Sequence, residues 1–516
     1  MRINNSIKNI IFSIIAQLIL IILGFVSRKI FVENLGIEYL GINGLLTNVI
    51  SMLALVESGI GTSIVYFLYK PLAENDRPRI IALIQLYKKA YSVIALIILI
   101  LSILLYPLLD ILIKGNEGVN FLPIIYFLFV LKNVVYYLNA HKFALINADQ
   151  KGYVLTKINI GYQIFTTFAK IVVLIVTQNF ILYLLIELII FAFQNFFNGR
   201  VVTSRYPYIN TKQKYNLENE DRYKLIKNIK ALSLHNIGGY VTHGTDNLLI
   251  SSFIGISTVG LFSNYMMIIS QLSSLLAPLL NGIGASIGNL IATESNEKKY
   301  SIFNVLFLVN FWLYSTSVIF LFNLLEPFIN WWLGSGFLLD RLTFIVILAN
   351  FFISGMRTSI FIFKTKGGIF VQDRYVPLLG AIINLVTSIV LVNKLGLPGI
   401  FLGTTISILS VFWYAPVLVY KQIFNKPASI YFKKYIFYIL LTIVSAVVTS
   451  YIYKKLPIIE GEFSSLLFIG LICLIVPSSI YLLIFHKTNE FRYLASILLN
   501  RIKLQIIKRK EFKTGA

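Results

Sequence analysis

Apolar runs of about twenty residues recur along the whole chain, separated by short polar or basic stretches. They fall near 8–31, 42–68, 91–113, 121–143, 155–177 and 179–199. A polar, basic stretch from Arg200 to Lys230 follows. Further runs lie near 231–254, 259–291, 302–325, 342–363, 375–393, 398–420, 435–453 and 463–485. About 20 apolar residues in a helix cross the ~30 Å hydrocarbon core, so each run predicts a spanning helix. A transmembrane barrel would show alternating segments of ~10 residues, and SVIALIILILSILL (92–105) does not alternate. The predicted class is an all-α integral membrane protein with about fourteen transmembrane helices. The opening MRINNSIKN leads into the first run without a small-residue cleavage site, so it reads as the start of a retained span.

The pattern repeats. Ile7-Lys8-Asn9-Ile10 returns as Ile226-Lys227-Asn228-Ile229, an offset of 219. At that offset Leu35-Gly36-Ile37 matches Ile254-Gly255-Ile256, and Gly41 matches Gly260. Gly59-Ile60-Gly61-Thr62-Ser63-Ile64 returns as Gly282-Ile283-Gly284-Ala285-Ser286-Ile287 at an offset of 223. Six spans separate the copies, which preserves direction and predicts two parallel six-helix lobes related by a pseudo-two-fold axis along the membrane normal, a secondary-transporter plan. The expected division is an N-lobe over 1–199, a cytoplasmic linker over 200–230, and a C-lobe over 231–420. Two further helices over 421–486 and a basic cytoplasmic tail over 487–516 complete it. Gly284 and Gly288, four apart, suit close helix–helix contact in a bilayer.

Composition sharpens this picture. Of 516 residues, 57% are hydrophobic and 13% charged, against about 25% charged in soluble domains. That excludes a soluble globular domain, a disordered chain and a nucleic-acid-binding module. The formal charge of +23 is therefore topological. With the N-terminus inside, 35 basic residues fall on the inner side, seven on the outer side and three within spans. Basic residues concentrate in cytoplasmic loops, so both termini are expected in the cytoplasm. The single cysteine, Cys473, and the four histidines show no metal-ligand spacing. No cofactor is implied, and no Walker motif is present.

Ionisable side chains within the spans carry the candidate chemistry, because an uncompensated charge there costs ~2.5–3.5 kcal/mol or more. Arg28, Lys132, Lys170 and Arg357 are candidate substrate-binding cations of a water-filled cavity. Buried pairing with Glu57, Glu187 or backbone carbonyls is the alternative for the last three. Glu57 and Asp246 are candidates for ion or proton coupling. His235 and His243 share a helix face and read as packed neutral rings. The basic, amphipathic tail beyond Arg501 suits the anionic cytoplasmic leaflet.

The opening stretch through NGLL, the repeated GIGxSI segments and INLVTSIVLVNKLGLPGIFLGTTIS together carry a resemblance. The chain resembles bacterial polysaccharide (O-antigen or capsule) repeat-unit flippases of the multidrug/oligosaccharidyl-lipid/polysaccharide exporter superfamily. That resemblance implies two six-helix lobes around a cationic cavity, two extra C-terminal helices, and a site in the bacterial cytoplasmic membrane. It implies undecaprenyl-pyrophosphate-linked oligosaccharide as cargo, moved between leaflets by alternating access, with membrane lipids and a polysaccharide polymerase as partners. On this view Arg28, Lys132, Lys170 and Arg357 would receive the pyrophosphate. A lipid II flippase or a multidrug cation antiporter of the same superfamily is the alternative. A membrane polymerase fits less well, because no outer connection exceeds about twenty residues.

Overall fold

The computed structural model describes residues 2–114, 120–281, 284–369, 372–373, 375–456 and 463–496. Among them there are helices and connecting turns but no strand. The first stretch forms α1 (Arg2–Leu35), α2 (Ile37–Leu53), α3 (Ile60–Glu74), α4 (Arg77–Leu105), α5 (Leu122–Ala148), α6 (Tyr153–Thr177) and α7 (Phe180–Arg205). Next come α8 (Asn219–Gly244), α9 (Ile256–Asn281), α10 (Gly284–Thr293), α11 (Asn296–Leu333), α12 (Arg341–Met356) and α13 (Thr358–Lys366). The chain continues with α14 (Val376–Leu395), α15 (Leu397–Ser410), α16 (Ser429–Lys454) and α17 (Phe463–Phe485).

Polar residues between the apolar runs start several of these helices. The side chains of Asp76, Asn179, Ser295 and Asp340 each accept from a backbone N–H in the first turn of α4, α7, α11 and α12, satisfying donors that a helix start leaves open. Among the described residues twelve segments are long and apolar enough to span a membrane. The runs that open each repeat lie in α1 and in α8 with its continuation. The chain is a multi-pass, all-helical membrane protein with about fourteen membrane helices.

By compactness the chain divides into two units, Met1–Ser263 with Pro377–Ile400, and Asn264–Val376 with Phe401–Ala516. The segments 231–263 and 377–400 therefore group with the first half of the chain. Within the first unit α5 packs against α4 and α7, and α6 packs against α1 and α7. Asn139 on α5 donates to the Asn195 side chain on α7 over 2.7 Å, an amide pair that satisfies polar groups away from water.

The repeat is visible as geometry. Gly36 and Gly255, at matching positions, hold positive φ of 86° and 146° and break the chain just before α2 and α9. A side chain is disfavoured in that backbone region. Beyond them, a β-carbon on Gly41 would lie 2.0 Å from the Ile256 carbonyl oxygen, and one on Gly260 would lie 2.3 Å from that of Ile37. The sequence also suggests close packing at Gly284 and Gly288, of which only Gly288 has described surroundings. Among the described residues a β-carbon on Gly288 would meet nothing within 4 Å.

The second unit is held by aromatic packing. Phe303, Phe307 and Phe311 recur every four residues on α11, which puts them on one face, against Tyr431 and Tyr438 of α16. Phe311 stacks on Tyr438 at 4.2 Å between centroids, and Phe307 on Tyr431 at 5.1 Å. Asn310 on the same helix donates to the carbonyls of Gly355 and Met356 over 3.1 and 3.0 Å.

Candidate functional site

Three of the helix interruptions carry an ionisable residue singled out above. After α2 a tight 3-10 turn over Ala54–Glu57 ends at Glu57, and Gly59 in the left-handed region restarts the helix as α3. α8 stops at Gly244, and Asp246 opens a short turn, Asp246–Leu249. α12 stops at Met356 and α13 begins at Thr358, with Arg357 between them. Freed backbone groups in a bilayer need other partners, and side chains supply them. Ser233 donates to the Ser58 carbonyl, Asn48 to that of Gly244 and Asn310 to those preceding Arg357. Broken helices with polar groups at the break mark ion and substrate sites in transporters.

In the first unit the structure brings three of the four candidate cations together. Lys132 on α5 and Lys170 on α6 donate to the two carboxylate oxygens of Glu187 on α7. The Lys170 ammonium also sits over the Tyr183 ring at 4.2 Å, and Arg28 on α1 interacts electrostatically with that same tyrosine. Phe31, one turn beyond Arg28, packs edge-on against Tyr183 at 5.2 Å. Arg28 Nη1 is out of solvent, and among the described residues it has no hydrogen-bond partner. Two ammonium groups thus share one carboxylate, with Arg28 beside the tyrosine that Lys170 covers. The pairing of two lysines, 55 and 17 residues from Glu187, is a tertiary fact that local spacing does not reveal.

Arg357 belongs to the second unit. Its guanidinium lies over Phe361 at 4.8 Å and Phe412 at 5.9 Å and interacts with Tyr431 and Tyr435. Its Nε and the hydroxyls of Tyr431 and Tyr435 are out of solvent without hydrogen-bond partners among the described residues. Lys364, further along α13, is instead neutralised by Asp373. Among the described residues neither of the two acids pairs with a cation. Glu57 accepts from Tyr91 and Tyr137 and interacts with Tyr87 and Tyr136. Asp246 keeps a buried oxygen without a partner among the described residues. The side chains of His235 and His243, and the tail from residue 497, lie outside the described residues.

A cleft of about 330 Å³ between α5, α6 and α7 is lined by amides and aromatic rings, among them Asn159, Gln194, Asn195, Asn198, Tyr136 and Phe191. Asn159 Oδ1 accepts from both Gln194 and Asn198, while Asn198 Oδ1 is buried and unpartnered among the described residues. Uncharged donors and acceptors beside flat apolar faces suit polyhydroxyl ligands. Phe191 also faces Lys132 at 5.7 Å, so the cleft adjoins the ion cluster. Attention to ionisable groups alone overlooks it, although Gln194, Asn195 and Asn198 fall within about one turn of α7.

The stretch between α7 and α8 is not free of the first unit. Gln85 on α4 donates to the Gln213 carbonyl over 2.7 Å and accepts from the Tyr215 N–H over 3.2 Å. Arg79 pairs with Asp221 at 2.5 Å. Tyr206 donates to Asp149, which also pairs with Lys151 at 2.5 Å. Burial acts to raise the Asp149 carboxyl, but the Lys151 and Tyr206 bonds hold it below the ordinary carboxylate range.

No family model matches the chain, and no curated protein matches it. Solved structures do. One is "Lipid II flippase MurJ, inward closed conformation", 15% identical, covering 92% of this chain and 99% of its own length at a TM-score of 0.66. Another is a point mutant of the Vibrio cholerae MATE transporter VcmN, 11% identical, with 82% and 98% coverage and a TM-score of 0.55. A third is a multidrug resistance MATE family transporter of the MOP superfamily in an inward-facing conformation, 15% identical, with 78% and 94% coverage and a TM-score of 0.51. This chain shares their fold.

Proposed function

We propose that the protein is a flippase that moves undecaprenyl-pyrophosphate-linked oligosaccharide repeat units across the bacterial cytoplasmic membrane by alternating access. It would serve the biosynthesis of a surface polysaccharide. The observation that carries this reading is the cluster of Arg28, Lys132 and Lys170 around Tyr183 and the lone carboxylate of Glu187. An excess of positive charge held within apolar spans favours an anionic ligand, and guanidinium groups bind phosphate oxygens with charge-assisted hydrogen bonds. Arg357, with its unpartnered Nε among the described residues, offers the second unit's cation. The adjoining cleft of amides and aromatic rings suits the saccharide. Glu57 and Asp246, at their helix breaks, are the groups we assign to ion or proton coupling.

The fold likeness to a structure titled a lipid II flippase supports a second cargo of related chemistry, lipid II itself. A multidrug cation antiporter is disfavoured, because it calls for an acidic cluster where this chain places two lysines on one acid and an arginine beside Tyr183. The test uses the full chain in proteoliposomes loaded with a radiolabelled undecaprenyl-pyrophosphate oligosaccharide. Transfer to the opposite leaflet is read by access of an external glycosidase. Movement of this lipid but not of lipid II supports the reading, and transfer of lipid II alone replaces it with the second.

A further inference from the structure

A second cleft, of about 370 Å³, opens at the basic end of the first unit and has no part in the cluster described above. It lies between α4, α5 and the turn after α7. Lys132 and Lys142 are ten residues apart on α5, roughly 15 Å along the helix axis, which separates it from the cluster. Its lining includes Lys88, Lys142, His141, Asn139, Asn210 and Thr211. The three basic groups are graded in depth, with Lys88 exposed, Lys142 half-buried and His141 only 5% exposed. Among the described residues neither lysine has a carboxylate partner, and His141 Nδ1 is out of solvent without a hydrogen-bond partner. The Lys88 and Lys142 ammonium groups repel one another, which is unfavourable unless an anion joins them.

The outer wall is not accidental. Asn210 and Thr211 belong to the segment that Gln85, Arg79 and the Asp149–Tyr206 bond hold against this unit. The segment between the repeats therefore completes the cleft by closing one side of it. Two ammonium groups, a ring nitrogen and hydroxyl and amide donors match the several oxygens of a phosphate-type anion.

We infer that this cleft is a phosphate-type anion site, walled by the segment between the repeats and separate from the embedded cation cluster. The chemistry is shared by a soluble pyrophosphate or phosphate compound and by the headgroup of an anionic phospholipid. The inference does not depend on the cargo proposed above.

The test uses the purified full chain. In detergent, inorganic pyrophosphate is titrated by calorimetry at fixed ionic strength. In nanodiscs of phosphatidylcholine with a minor fraction of phosphatidylglycerol, lipid retained through delipidation is counted. Saturable pyrophosphate binding, weakened at least tenfold in the Lys88→Gln/Lys142→Gln double variant, supports the site with a soluble ligand. Phosphatidylglycerol retention lost in that variant supports it with a lipid ligand. Lys89→Gln, one position along α4, is expected to change either readout less than twofold. His141→Leu is the second variant, expected to weaken binding severalfold. It decides the matter if the double variant does not elute as folded protein. The inference is overturned if neither probe binds saturably, if binding survives in the folded double variant or in His141→Leu, or if Lys89→Gln weakens it equally.

Discussion

Gly41 and Gly260 make the same contact in reverse: a β-carbon on Gly41 would strike the carbonyl oxygen of Ile256, and one on Gly260 that of Ile37. Both pairs are related by the 219-residue offset that relates the repeats. A reciprocal contact between equivalent positions is the signature of a two-fold relationship. Gly41→Ala and Gly260→Ala are each expected to destabilise by ~1–3 kcal/mol, the usual cost of overpacking, read as thermal unfolding in detergent. Gly288→Ala, whose β-carbon meets nothing within 4 Å among the described residues, should be neutral or slightly stabilising. A Gly288→Ala loss as large as the other two would contradict the packing account.

Glu187 stabilises two lysines at once. Glu187→Gln removes the counter-charge of both ammonium groups and turns one of their two acceptor oxygens into a donor, and breaking a buried ion pair costs ~3–5 kcal/mol. Folded yield should fall sharply, and Lys132→Met in the same chain should restore part of it. Restoration is the discriminating result, because a variant damaged for any other reason would gain nothing from losing a second charge.

Arg28→Gln and Arg357→Gln should lower transfer of the lipid-linked oligosaccharide at least tenfold while membrane insertion is unchanged. Arg→Lys at either site should recover only part of the activity, since a point charge lacks the planar fork of guanidinium. Full activity in both Gln variants would remove these residues from the site.

The segment between the repeats should loosen in acid. Asp149 is held below the ordinary carboxylate range by Lys151 and Tyr206. Its contribution is therefore fully present above the unfolded value of about 3.9 and lost as pH falls through the lower folded value. Limited proteolysis within 206–218 should be slow at pH 6 and faster below about pH 4. Asp149→Asn should be cleaved quickly even at pH 7. Equal cleavage of parent and variant at pH 7 would show that this bond does not hold the segment.

Much of the fold is legible in the amino-acid sequence. The apolar runs predicted the helices because a bilayer imposes a length that a soluble core does not. The Gly36/Gly255 and Gly41/Gly260 matches mark the repeat, but not the contact of Gly41 and Gly260 with Ile256 and Ile37. The helix interruptions at Glu57, Asp246 and Arg357 were hidden, because apolar content continues through each break and only tertiary partners such as Ser233, Asn48 and Asn310 make it tolerable. The Lys132–Glu187–Lys170 cluster was open to two readings from its residues, and its partner choice needed three helices to be placed. The stretch 200–230 looked like a plain linker from its polarity. In the structure α7 runs through Arg205, and the turn beyond it is tied to α4 through Gln85.

One measurement reads both the cargo and the direction in which it moves. Undecaprenyl-linked lipids are extracted from inside-out and right-side-out membranes of a strain lacking the gene. The account predicts a pyrophosphate-linked oligosaccharide accumulating on the cytoplasmic side, with the surface glycan lost and both restored by the wild-type chain. An unchanged lipid pool, with only lysis or drug sensitivity as the phenotype, would contradict it.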